Sequence, residues 1–176
     1  MAIIQEEVTL ASRIAELAMA PANYPDLIPS VLPLIVGAFV IELYFGKHKS
    51  EVLGWNTSVG NAVIWISTAL NLILTEQAES IVEKYVVFFI LGLGLLIGYL
   101  DFYHKWSSTV AFRASSADVI YPLGYVTVVI VKSPIPADQL SIKASIGFLI
   151  ASFVIFRILR MFETPAPDDF TGGIKY

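Results

Sequence analysis

IVEKYVVFFILGLGLLIGYLDFYHKW, residues Ile81–Trp106, is the stretch that decides the fold of this chain. Between Lys84 and Asp101 it contains no charged residue, and as an α-helix this run is long enough to cross most of a bilayer. An aromatic and charged cluster follows directly and comprises Tyr99, Asp101, Tyr103, His104, Lys105 and Trp106. Such rings and amines are typical of the membrane–water interface. The stretch therefore predicts a membrane-spanning helix that ends at an interface.

The composition of the whole chain also indicates a membrane protein. Its 176 residues are 56% hydrophobic and only 15% charged, and the mean hydropathy is +0.73. A soluble domain usually has roughly 25% charged residues. The length suits about five crossings and leaves little for a soluble domain. We therefore expect an all-α integral membrane bundle of about five transmembrane helices, preceded by an N-terminal amphipathic surface helix.

Composition and motifs exclude several classes of function. The chain has no cysteine, which excludes disulfides, thiolate metal sites and cysteine nucleophiles. Its net charge is −4 and it has no basic run, so nucleic acid is not an expected partner. The motifs HExxH, GxSxG, GxGxxG and the phosphate-binding P-loop are absent. No catalytic residue is predicted, and the sequence does not identify a cofactor.

Residues 1–24 form the first predicted segment, an amphipathic helix. The apolar residues that recur at helical spacing are Ile4, Val8, Ala11, Ile14 and Leu17. The segment lacks the basic start of a signal peptide. Such a helix lies on the membrane surface or on the bundle, or it docks a partner subunit.

The transmembrane bundle is predicted for residues 25–162, with spans at about residues 27–45, 52–74, 81–102, 115–132 and 140–162. Residues 107–117 are ambiguous, since they suit a loop, a re-entrant turn or the start of a long fourth helix. The tail, residues 163–176, is rich in Pro, Gly and Asp and is predicted to be flexible and polar.

The second span is the least apolar of the five. Its polar stripe, at spacings of three and four, comprises Thr57, Ser58, Asn61, Trp65, Thr68 and Asn71. Lipid cannot satisfy an amide, so this stripe must face protein or water. It forms either hydrogen bonds between helices, worth roughly 1 kcal/mol or less each, or the lining of a polar path.

Gly94 and Gly98 in the third span are four residues apart, with Gly92 one step off their face. Small residues at this spacing allow another helix to approach closely. The pair therefore predicts helix packing, either inside the bundle or between subunits.

The distribution of basic residues predicts the orientation. If the N-terminus is outside, the inner segments hold seven basic residues, namely Lys47, Lys49, Lys105, Arg113, Arg157, Arg160 and Lys175. The outer segments then hold four, namely Arg13, Lys84, Lys132 and Lys143. Because basic residues are enriched in cytoplasmic loops, we expect the N-terminus outside and the C-terminus inside, in the cell membrane.

This topology brings ionisable residues of several spans to the inner face. The candidate polar or ion site comprises Glu42, Asn61, Asp118, Arg113 and Arg157. Glu42 and Asp118 are the acids most expected within the apolar depth, where charges pair or line cavities. Arg113 or Arg157 can neutralise either of them.

A weaker pattern suggests a metal site at Asp101, His104 and His48. Asp101 and His104 are three residues apart, so on a helix they share a face and can act as ligands or as acid–base partners. Two histidines are few for such a site.

Three functions follow from these patterns. The first is a subunit or scaffold of a membrane protein assembly, which associates with itself or with another membrane protein in the lipid bilayer. The second is a small proton- or cation-linked transporter or channel. The third, a membrane-embedded metal-dependent enzyme, is less expected because no complete catalytic set is present.

Overall fold

Helices account for nearly all of the chain that the structure, a computed structural model, describes, namely residues 8–47 and 54–162. The elements in this part are α1 Leu10–Asn23, a 3₁₀ turn Pro25–Leu27, α2 Ile28–Lys47, α3 Trp55–Leu74, α4 Ile81–Phe102, α5 Ser108–Ala114, α6 Ala117–Lys132 and α7 Gln139–Phe162. No strand occurs among these residues. The predicted all-α class is confirmed.

Five helical stretches are long and apolar enough to cross a membrane: Pro25–Tyr44, Trp55–Leu74, Ile81–Phe102, Ser108–Lys132 and Gln139–Phe162. They are α2, α3, α4, the pair α5 and α6, and α7. The predicted bundle of five candidate transmembrane helices is therefore present. The predicted tail, residues 163–176, lies outside the described residues.

Local signals explain where α4 begins and ends. Ser80 accepts a hydrogen bond from the Glu83 backbone while the Glu83 carboxylate accepts one from the Ser80 backbone, which is a capping box. At the other end the Lys105 N–H donates to the Leu100 carbonyl at 2.8 Å, and His104 adopts a positive φ of 51°. This left-handed residue closes the helix after Phe102.

The ambiguous stretch 107–117 contains the short helix α5 and a break before α6. Ser116 has extended backbone angles, φ −70° and ψ 153°, and serves as the N-cap of α6. Ala111 of α5 is fully buried. The fourth crossing is thus built from two helices, with Ser115 and Ser116 at their junction.

Close packing of α3 on α4 depends on the small residues of α4. A Cβ at Gly94 would stand 3.0 Å from Ile66 Cγ1 and 3.1 Å from Trp65 Cβ, and one at Gly98 would stand 3.6 Å from Ala62 Cβ. The two glycines therefore pack inside the bundle, the first of the two arrangements that the sequence allows.

The helix at the centre of the bundle is α6. Twelve of its sixteen residues are buried, and it packs against α2, α3 and α7. The amphipathic helix α1 lies on this bundle, with Leu17 and Ala20 fully buried and Met19 exposed. The Tyr125 hydroxyl of α6 donates to the Leu17 carbonyl at 2.9 Å, which fixes α1 to the central helix.

Candidate functional site

Three buried carboxylates lie at one end of the bundle, where α2, α4 and α7 finish and α3 and α6 begin. They belong to Glu42, Asp101 and Asp118, whose exposed fractions are 0%, 0% and 5%. We call this the carboxylate end. A charge at membrane depth is costly unless it is paired or hydrogen-bonded, so the partners of each acid decide what this end can do.

Asp101 is held by three neutral donors. Its Oδ2 accepts hydrogen bonds from the hydroxyls of Ser58 and Ser115, both at 2.7 Å. Its Oδ1 accepts one from the indole N–H of Trp106 at 2.6 Å. Ser58 and Ser115 are fully buried. The carboxylate thus joins α4 to the start of α3 and to the α5–α6 junction.

His104 does not share a helix face with Asp101, because α4 ends at Phe102. Its ring instead stacks on Trp55, with 4.1 Å between ring centroids. His48, the third predicted ligand, lies outside the described residues. Within residues 8–47 and 54–162, no three His, Asp or Glu residues form a group that could hold a metal ion.

Glu42 of α2 pairs with Arg160 of α7. Arg160 Nη2 donates to Oε1 at 2.9 Å, and Nε donates to Oε2. This two-pronged geometry is the strongest form of an Arg–carboxylate pair. The Arg160 side chain is only 26% exposed, so the pair is largely shielded from water.

Asp118 of α6 has a weaker cationic partner. Arg157 Nη2 lies 3.7 Å from Asp118 Oδ2, and the Arg157 side chain is 55% exposed. The Ser116 hydroxyl donates to the other carboxylate oxygen of Asp118. Arg113, the alternative predicted partner, is exposed on α5 and pairs with neither Asp118 nor Glu42.

The polar stripe of α3 divides into two parts. In the first part, Asn61 donates to the Ser115 carbonyl and the Trp65 indole donates to the Ile120 carbonyl, both at 2.7 Å. These bonds fasten α3 to α6. In the second part, Thr68 and Asn71 line a groove at the opposite end of the bundle.

That groove, of about 500 Å³, lies between α2, α3 and α6. The polar side chains on its walls are Ser30, Ser67, Thr68, Asn71 and Tyr121. We call this the groove end. The walls of the groove include none of the predicted ion-site residues, which are Glu42, Asn61, Arg113, Asp118 and Arg157.

Several partners at the carboxylate end were not assigned from the sequence. No sequence pattern singles out Arg160 as the partner of Glu42, and none links Ser115 or Trp106 to Asp101. Ser115 is 14 residues from Asp101, across a helix boundary, so no periodic signal connects them. Ser58 alone had a signal, since it belongs to the polar stripe.

No family model, no curated protein and no solved structure shows significant similarity to this chain. The carboxylate end and the groove end are therefore interpreted from their own chemistry.

Proposed function

We propose that this chain is a small polytopic membrane protein that acts as a subunit or scaffold of a membrane protein assembly. One observation supports it above the others: all three buried carboxylates at the carboxylate end are satisfied by donors of the same chain. A fully satisfied polar network stabilises one arrangement of helices. A rigid arrangement suits a structural role better than one that alternates during transport.

The outward face of α4 is the surface proposed for association. Gly92 has no atom within 4 Å of the point where a Cβ would stand. The exposed aromatic side chains on either side of it are Tyr85, Phe88, Phe89, Tyr99, Phe102 and Tyr103. A glycine notch between bulky side chains suits close packing of a helix from another chain.

The proposal places the protein in the cell membrane with its N-terminus outside. The excess of basic residues in the inner segments supports this orientation. The carboxylate end is then on the inner side and the groove end on the outer side.

The test is the native mass of the protein, purified from its own membranes in a mild detergent. We expect a stoichiometric complex with another chain or with further copies of this one. A purely monomeric protein under conditions that preserve other membrane complexes would contradict the proposal.

Gly92→Leu tests the α4 face, and Gly60→Leu on α3 is the matched control. Both glycines are exposed and have no atom near the Cβ position, so both variants should fold. We expect Gly92→Leu to release the partner and Gly60→Leu to retain it. Equal retention in both variants would rule out this face.

A second candidate function, a small proton- or cation-linked transporter, is favoured by the groove. Tyr121 is the groove residue of α6 that lies closest to the carboxylate end. It is three residues after Asp118, and hence about one helical turn from it. A route would lead from the groove past Tyr121 to Asp118.

Flux in liposomes tests this second candidate. Asp118→Asn should abolish proton or cation flux, while Arg113→Gln, at an exposed position that pairs with no acid among the described residues, should leave it intact. Flux that is absent in the parent protein, or unchanged in Asp118→Asn, would eliminate this route.

A further inference from the structure

Some polar groups of the groove end have no hydrogen-bond partner among the described residues. Pro33 has no N–H, so the Pro29 carbonyl cannot receive its intrahelical hydrogen bond. In the part of the chain that the structure describes, the side chains of Thr68 and Asn71 make no hydrogen bond, while the Ser67 hydroxyl donates only to the Ile64 carbonyl. Hydrocarbon tails cannot satisfy these groups, so water or a polar ligand must occupy this part of the groove.

A positive charge stands at the mouth of the groove. Lys132 at the end of α6 donates from Nζ to the Ser30 hydroxyl at 2.8 Å, and Ser30 lines the groove. An ammonium has three donors, so two remain for a ligand. This favours an occupant with an anionic group near Ser30.

The walls become apolar with depth. Lys132 and Asn71 lie in the last turns of their helices, whereas Tyr121 lies eleven residues before Lys132, about 16 Å along the helix axis. Between them the walls are formed by Leu34, Ile64 and Val128. A polar mouth above an apolar channel fits an amphiphile better than a soluble anion.

We infer that the groove binds one anionic phospholipid. Its headgroup phosphate is held by Lys132 and Ser30, its glycerol and ester oxygens face Asn71 and Thr68, and one acyl chain follows the apolar wall toward Tyr121. Lipid of this type surrounds any protein of the bilayer, and basic residues at the membrane surface attract it. This inference does not depend on the proposed function.

Native mass spectrometry of the delipidated full chain tests the site. The probes are phosphatidylglycerol, phosphatidylcholine and glycerol 3-phosphate, each added to the protein in detergent. We expect one phosphatidylglycerol per chain, with weaker binding of phosphatidylcholine and none of glycerol 3-phosphate.

Two variants locate the site, and a third is the control. Lys132→Met should weaken phosphatidylglycerol binding about fivefold, the effect of one basic residue near a membrane surface. Asn71→Leu, at an exposed position, should weaken binding of both lipids. Lys143→Met removes an exposed charge from α7 outside the groove and should bind as the parent does.

Other outcomes overturn the inference. Unchanged binding in both Lys132→Met and Asn71→Leu would place the lipid elsewhere. Equal affinity for phosphatidylglycerol and phosphatidylcholine would show that the site does not select an anionic headgroup. Binding of glycerol 3-phosphate as tight as that of phosphatidylglycerol would make this a soluble-anion site.

Discussion

The two ends of the bundle both carry polar side chains, but these side chains differ in how far they are hydrogen-bonded within the chain. Asn61 and Asn71 belong to the same stripe of α3; the first is 6% exposed and donates to the Ser115 carbonyl, whereas the second is exposed and makes no such bond. The carboxylate end uses polar groups to fasten helices together. At the groove end, the side chains of Thr68 and Asn71 make no hydrogen bond with the described residues, and we propose that a lipid binds there. The same residue type in the same periodic pattern thus serves structure at one end and binding at the other.

The largest expected effect is at the pair of Glu42 and Arg160. Arg160→Leu leaves a fully buried carboxylate without its cation, which costs about 3–5 kcal/mol in comparable pairs. We expect a large fall in Tm, measured by thermal unfolding in a mild detergent. The double variant Glu42→Leu with Arg160→Leu should recover much of the loss.

Arg157, one turn away on the same helix, is the matched comparison. Its side chain is 55% exposed, its contact with Asp118 is 3.7 Å, and Ser116 still donates to Asp118 in its absence, so Arg157→Leu should cost less than Arg160→Leu. Equal losses for the two arginine variants would show that burial does not distinguish the pairs.

Asp101→Ala should have the next largest effect. It removes the acceptor of Ser115 and Trp106 and leaves Ser58 only the longer bond to the Ala111 carbonyl at 3.4 Å, so the loss amounts to about 2–3 kcal/mol at about 1 kcal/mol for each bond. The Trp106 fluorescence should shift as the indole loses its hydrogen bond. Asp101→Asn keeps one acceptor oxygen, which can still receive the two serine hydroxyls, and should lose less; an equal loss would show that the remaining oxygen does not hold them.

A smaller change in stability is expected when Gly94 and Gly92 of α4 are each replaced by alanine. Gly94→Ala forces a methyl group against Trp65 and Ile66, and overpacking of this kind costs about 1–3 kcal/mol. Gly92→Ala meets open space and should be neutral or stabilising by up to about 1 kcal/mol, because alanine favours the helix. Thermal unfolding of the two variants, side by side, measures the difference; the reverse order would contradict the packing described above.

The smallest effect is a pH dependence at Asp138, in the turn before α7. The backbone N–H of Ser141 donates to its carboxylate at 2.7 Å and holds the pKa of Asp138 below its ordinary value. Because the pKa of Asp138 is lower in the folded state, its carboxylate stabilises the fold at pH values above the ordinary pKa of Asp. This stabilisation is lost as the pH falls through the pKa of the folded state. The Tm difference between parent and Asp138→Asn should therefore close in acid. A Tm difference that stays constant with pH would show that the charge of Asp138 does not contribute to stability.

Local signals in the sequence were enough for the long helices, but not for the break between α5 and α6 or for the contacts between helices. The apolar run and the capping box at Ser80 define α4 without help from the rest of the chain. The partner of Gly94 could not be predicted, since the same small residues serve packing within a chain or between chains. Arg157 and Arg160 carry the same charge and lie three residues apart on α7, so the sequence does not distinguish them as partners. Only the rotation of α7 against α2 and α6 decides which of them meets Glu42 and Asp118.

The bond between Tyr125 and Leu17 also has a consequence for biosynthesis. Its partners are 108 residues apart, so at roughly 5–20 residues per second the ribosome supplies Tyr125 about 5–20 s after Leu17. During that interval α1 has neither α6 nor α7 to cover its apolar side, and the surface of the bilayer is the nearest apolar environment. The helix α1 therefore waits for α6 and α7, which are made later, before it can reach its final place.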